Sequence, residues 1–197
     1  MGIETEMKIK EAAKKVFRSK GFAATRTRDI AEEAQINLAL LNYYFKSKQQ
    51  LFNIIMMEDL EDIFQAIINN ANDKSLSLRE KLLSLAEKYA DVIAEKPELP
   101  NFILSEVHGN HEFLLDHFGI KESLSKSDMM AQFFGLGFSQ EEIANIVVNL
   151  LGYIIFPYIS RPMYTVIFNM DEDAFSRFIN NRRKQIPEWI DSLLQKK

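Results

Sequence analysis

The sequence predicts an all-α protein of about nine helices, a three-helix amino-terminal bundle followed by a larger helical body. Two observations carry that expectation. Glycine and proline are scarce, seven and five of 197 residues, and nearly every long segment repeats apolar residues three or four apart, the period of an amphipathic helix. Most of the glycines and prolines also fall between such segments and divide them.

The first helix carries Ile9, Ala12, Ala13, Val16 and Phe17 on one face and stops at Gly21 after Lys20. A short helix from about Thr27 to Ala34 turns Ile30, Ala31 and Ala34 inward. Gln35 and Ile36 form a turn, and Asn37 suits a helix cap because its side chain can accept an orphan backbone N–H. The third helix, Leu38 to Tyr44 or Phe45, is about 10 Å long at ~1.5 Å per residue, too short to stand alone. A long connecting helix follows from Lys48 to Ala71, placing a domain division between residues 1–47 and 48–197. Further helices are expected over Leu78–Glu95, Leu99–His108 and Ser123–Phe134, divided by Pro97, Pro100, Gly109 and the turn at Gly135–Gly137.

The last two helices differ from the others. Ten of fourteen residues between Ile143 and Phe156 are large and apolar, more than one buried stripe requires. The final helix, about Asp171–Leu194, opens on acids that suit a helix N-terminus. These two helices are expected to meet their copies in a second chain through Ile143, Val147, Leu150, Leu151, Ile154, Phe178 and Trp189, an isologous homodimer. The alternative is that one of them is the central core helix of a monomer.

Composition removes several function classes. There is no cysteine, hence no disulfide, thiolate metal site or cysteine nucleophile. The apolar stretch Leu150–Ile159 is ten residues long, against roughly 20 for a membrane span, so no membrane partner is expected. The start of the chain has no signal-peptide pattern and reads as that of a mature cytoplasmic protein. The net charge of -4 hides an uneven distribution. Residues 1–50 hold ten Lys or Arg against six Asp or Glu, and residues 51–197 hold fourteen against twenty-two. A basic end on an acidic body suits a polyanion contact confined to that end.

Two short helices separated by a three-residue turn, after an amphipathic helix and before an aromatic block, have the helix-turn-helix layout, whose second helix enters the DNA major groove. From Ile9 through Leu51 the matching residues are Ala12-Ala13, Phe17, Gly21-Phe22, Thr25, Asp29-Ile30-Ala31, Ala34, Tyr44-Phe45, Ser47-Lys48 and Leu51. In these the segment resembles the DNA-binding domain of the tetracycline-repressor (TetR) family. The resemblance implies a dimeric, ligand-responsive regulator, usually a repressor, that binds a pseudo-palindromic double-stranded DNA operator. It also implies that residues 48–197 form a ligand-binding and dimerisation domain. The family often has Gly where Gln35 stands, where positive φ would cost a non-glycine residue ~1 kcal/mol, and often Tyr where Asn42 stands.

Chemistry distributes the DNA contacts. Thr25, Arg26 and Thr27, around the start of the second helix, are placed to hold phosphate. Arg28 could fork onto a guanine edge or pair with phosphate. In the recognition helix Leu40, Leu41 and Phe45 are core, Tyr44 is core or contact, and Asn37, Leu38, Ala39, Asn42 and Tyr43 remain to face DNA. Asn42 could pair bidentately with adenine or serve only as a surface residue of a short helix, and Leu38 or Ala39 could touch a thymine methyl. Tyr43, Lys46 and Lys48 suit backbone clamps.

For a small apolar ligand the middle helices offer Phe64, Tyr89, Phe102, Phe113, Met130, Phe133, Phe134 and Tyr153. No cofactor and no metal are expected. His108, His111 and His117 flank or follow Gly109-Asn110 and read as solvated or capping residues. No catalytic motif stands out, neither a Gly-rich phosphate loop, a helical His-Glu-x-x-His, nor a Gly-x-Ser-x-Gly. The alternative to a regulator is a helical interaction module, an orphan homologue that assembles with protein partners without operator binding.

Overall fold

The computed structural model describes residues 2–195. Among them are eleven helices and no strand, divided between two compact units, one reaching to Ile63 and one from Phe64 onward.

The first unit contains α1 (Gly2–Ala24), α2 (Thr27–Glu33), α3 (Leu38–Tyr44) and the first turns of α4 (Lys48–Asn72). Gly21 interrupts α1 with φ 73° and ψ 161°, so the regular helix ends where the sequence predicts, at a residue free to take positive φ. Ile9, Ala13, Ile30, Leu41, Phe45 and Leu51 are all buried. Phe52 of α4 meets Phe17 edge-on with centroids 5.3 Å apart and lies 4.6 Å from Phe22, contacts that contribute beyond the buried area. Because the start of α4 packs this way, the boundary between compact units falls inside α4, further along than the 47/48 division read from the sequence.

In the second unit α5 (Leu78–Glu95) touches α8 (Asp128–Gly135), α9 (Gln140–Ile159) and α11 (Glu172–Leu194). The core joins Leu82, Leu85, Ala86 and Ile93 of α5 to Met129 and Phe133 of α8, Ile146 and Leu150 of α9, and Ile186 and Ile190 of α11. The helix starts are capped as their sequences allow. The Ser77 amide donates to Glu80 at 2.8 Å and the Ser139 amide to Glu142 at 2.8 Å, and the Ala174 amide donates to Asp171 at 2.8 Å. Lys81 is fully buried. Its ammonium donates to the carbonyls of Asn70, at 3.0 Å, and Asp73, and lies 3.2 Å from Asp128. It thereby adds a donor at the end of α4, where the Asn70 carbonyl also accepts from the Asp73 amide at 3.2 Å.

Several boundaries differ from expectation. α6 runs Leu99–His117 straight through Gly109, since a single interior glycine weakens a helix by about 1 kcal/mol without breaking it. The helix expected over Ser123–Phe134 is two, α7 (Ile120–Ser125) and α8, separated at Ser127, which caps α8 through the Met130 amide at 3.3 Å. α10 (Arg161–Ile167) was not expected; Pro162 sits in its first turn, where the missing N–H costs nothing. α9 also begins earlier, at Gln140, because Ser139 caps it, and by length and composition alone it is long and apolar enough to cross a membrane. Here Ile143, Ile146, Leu150 and Ile154 pack it into the core of the second unit, and its first turn carries Glu141 and Glu142.

Candidate nucleic-acid interface

α3 is held by its inner side. Leu41 and Phe45 are 0% and 2% exposed, and Asn37 caps the helix by accepting the Leu40 amide at 2.7 Å. Asn37 is thus already engaged through its side-chain oxygen. Outward stand Ala39, Asn42, Tyr43 and Lys46, with Tyr43 81% exposed and its ring edge-on to Tyr44 at 5.4 Å. Leu38, Leu40 and Tyr44 are half-buried. The turn before α3 contains Gln35 at φ 53°, the left-handed geometry that its place in the sequence suggested.

At the start of α2 the Arg26 amide donates to Asp29 at 2.8 Å, and Lys20 lies 3.1 Å from the same carboxylate. The amide and then the ammonium hold the Asp29 carboxyl below its ordinary range. That carboxylate fixes the α1–α2 junction and leaves the exposed Arg26 and Arg28 guanidiniums outside it; Thr27 is half-buried. Arg28 and Lys46 form no ion pair among the described residues.

Two expected contacts have other work. Thr25 is 2% exposed and its hydroxyl donates to the Gly21 carbonyl at 2.7 Å. It closes the end of α1 and is not presented to a phosphate. Lys48 donates to the carbonyls of Phe22 at 2.7 Å and Thr25 at 2.8 Å, with its ammonium 4.2 Å from the Phe22 ring centroid. It is a staple between α1 and α4, not a free clamp. Sequence pattern does not disclose such roles, because the partners are backbone carbonyls.

In the second unit the expected pocket residues do not converge. Phe133 is core, Phe102 is buried, and Phe113 and Phe134 are exposed. Phe64 packs on Phe118 at 4.8 Å. Met130 is half-buried against the core, and Tyr89 lies there too, burial pushing its phenol well above the usual value. Tyr153 alone of the eight lines the hollow between α5, α9 and α11 that also includes Arg182, a residue the sequence did not single out. Of the expected dimer residues, Ile143, Leu150 and Ile154 are buried within this chain and are core, not contact. Val147 is exposed, Leu151 half-buried, Phe178 packs on Phe175 and Tyr164, and Trp189 stacks on Tyr153. Val148 and Phe156, not singled out before, are the more exposed apolar residues of α9. The His108 ring Nδ1 donates to the Leu104 carbonyl at 3.0 Å and His117 stacks on Phe113; His111 is exposed.

Comparison with known proteins bears on the same segments. Residues 9–55 match the model of bacterial regulatory proteins of the tetR family. YttP of Bacillus subtilis (strain 168), named as a probable HTH-type transcriptional regulator, is 27% identical over an alignment covering 99% of this chain and 96% of its own. YfiR of the same organism, an uncharacterized HTH-type transcriptional regulator, is 32% identical over 44% of this chain and 43% of its own. Among solved structures, a protein of Mesorhizobium loti MAFF303099 assigned as a TetR-family transcriptional regulator superposes with a TM-score of 0.61. It shares 16% identity and covers 98% of this chain and 96% of that one, a likeness of fold. With a helix-turn-helix of this geometry, residues 9–55 match the domain of the tetR family of bacterial regulatory proteins, and nearly the whole chain is similar to a relative named as a probable HTH-type transcriptional regulator.

Proposed function

We propose that the chain is a homodimeric repressor of a pseudo-palindromic operator, reading DNA with α2, the turn and α3 of each copy and responding to a small molecule held in the second unit. The observation that carries this is the reading face itself. Asn42 and Tyr43 stand out from a helix pinned on its other side by Leu41 and just past its end by the buried Phe45, with Lys46 exposed in the bend that follows, so the face is presented on a rigid element. In this reading Arg26, Arg28, Tyr43 and Lys46 hold phosphates, and Asn42 pairs with a base edge while Ala39 or Leu38 touches a thymine methyl. Residues 1–47 supply recognition, and residues 48–197 supply ligand binding and dimerisation. The setting is cytoplasmic, with no cofactor and no chemistry performed on the ligand.

Dimerisation is assigned to the outer side of α9, where Val147, Val148 and Phe156 are exposed. A twofold contact there would cover apolar surface that the single chain leaves in water. A ligand that prefers one spacing of the two reading heads then shifts the population and changes operator affinity by its differential affinity for the two forms.

The test is selection of bound sequences from a random duplex library at physiological salt. Enrichment of an inverted repeat is the expected result. No enrichment from a folded dimer would favour the interaction-module reading, which the exposed Val166 and Ile167 of α10 and Phe168 just after it also suit. Protein partners held by apolar contacts would depend far less on salt than a phosphate contact does.

A further inference from the structure

α9 carries Pro157 inside the helix and runs on past it to Ile159. A proline in a helix interior has no N–H for the carbonyl four residues back, and its ring crowds that carbonyl. In α9 the carbonyl deprived of its helical donor is that of Tyr153. The replacement comes from another helix. Nη2 of Arg182 in α11 donates to the Tyr153 carbonyl at 3.2 Å, and the guanidinium lies 3.9 Å over the Tyr153 ring. The Tyr153 hydroxyl donates back into α11, shared between the Gln185 side-chain oxygen at 2.8 Å and the Arg182 carbonyl at 3.1 Å.

No ion pair accounts for this arginine. Its neighbour Arg183 takes Asp91 of α5 at 2.7 Å, whereas Arg182 has no counter-charge among the described residues and its Nε is buried without a hydrogen-bond partner. Burying an N–H unpaired is unfavourable, and an apolar side chain of similar length would avoid it. The Tyr153 carbonyl is the group that an apolar side chain could not serve, since an orphaned backbone acceptor carries a comparable penalty. A guanidinium can bond that carbonyl and stack on the ring of the same residue at once. We propose that Arg182 is the latch of a proline hinge in α9, replacing the donor that Pro157 removes and so fixing the direction in which the last turn of α9, and α10 after it, leave the core. Phe156 lies at the hinge, and the exposed Met163, Val166 and Ile167 of α10 lie beyond it, so the latch sets how this apolar surface is presented. That the surface meets a second copy rests on the homodimer reading above; the latch itself does not.

The experiment is a double-mutant cycle on the full chain, read by amide hydrogen exchange over residues 154–168. Arg182→Met should speed exchange there by at least about tenfold and leave α5 unchanged. Pro157→Ala restores an N–H for the Tyr153 carbonyl, so it should fold with exchange within about threefold of wild type, and adding Arg182→Met to it should change exchange by less than about threefold. An Arg182→Met chain that folds only in the Pro157→Ala background would support the latch in the same way. Equal acceleration in both backgrounds, acceleration in neither, or failure to fold in both would overturn it, as would unfolding of Pro157→Ala alone. Sedimentation equilibrium of the same variants separates the two claims. Accelerated exchange in Arg182→Met with self-association unchanged would keep the latch and contradict the dimer contact at Phe156.

Discussion

Among the described residues up to Ile63 three large apolar residues stand well exposed, Ile3, Met7 and Tyr43; among those from Phe64 onward there are thirteen, six of them in the stretch from Val148 to Phe168. The first unit turns basic and amide side chains outward from a closed aromatic core, whereas the second also leaves large apolar side chains exposed on α9 and α10. A contact made by the first surface gains by neutralising charge and weakens with salt. A contact made by the second gains by removing apolar area from water, at about 25 cal/mol per Å². If the proposed reading holds, the two surfaces are governed by different physics, and substitutions in each should be separable.

The largest effect is expected from Leu41→Ala. Truncating a fully buried leucine costs about 2–5 kcal/mol, and the loss should appear in hydrogen exchange of α1, α2 and α3 and abolish duplex binding while self-association persists. Equal loss of self-association would break the separation of the two units. Next comes Val148→Asp on the outer side of α9, where Val148 is 67% exposed. Sedimentation equilibrium should show self-association weakened by about 100-fold, because a charge cannot be desolvated there without a partner, with the melting temperature of the dilute chain unchanged. Unaltered association would move the dimer contact elsewhere. Asn42→Ala should flatten preference at one base position, a loss of about 1–3 kcal/mol of discrimination, read by repeating the duplex selection. An unchanged profile would leave Asn42 a bystander. The smallest effect is Gln35→Gly, which relieves a positive φ of 53° and should raise the unfolding free energy of the first unit by up to about 1 kcal/mol, measured by denaturant titration.

The amino-terminal unit was the more legible in sequence because short helices with one buried face each leave a clear period. Leu41 and Phe45 fall inward, Asn37 caps, and Gly21 breaks α1 where local rules place them. The roles of Thr25 and Lys48 were not legible, since each is set by a carbonyl brought near by folding. In α9 the limit was different. A helix apolar on nearly every side has no preferred stripe, so periodicity could not say that Ile143, Leu150 and Ile154 face inward while Val148 and Phe156 face out. Lys81 left a trace that could have been followed, lying on the face of α5 marked by Leu78, Leu82 and Leu85. Arg182 left none, being one of two adjacent arginines until Asp91 pairs with its neighbour alone.

The division of labour between Lys46 and Lys48 tests the account most directly. Lys46 is exposed at the end of α3, and Lys48, two residues on, spends its ammonium on two carbonyls. The measurement is the salt dependence of affinity for the selected duplex in the wild-type chain, Lys46→Ala and Lys48→Ala, each with its denaturation curve. Lys46→Ala should reduce the slope of log affinity on log salt by about 1 and leave stability alone. Lys48→Ala should keep the wild-type slope and lower the stability of the first unit by about 1.5–3 kcal/mol, the range for hydrogen bonds to a charged group. A reduced slope with undiminished stability in Lys48→Ala, or an unchanged slope in Lys46→Ala, would contradict the assignment of the reading face.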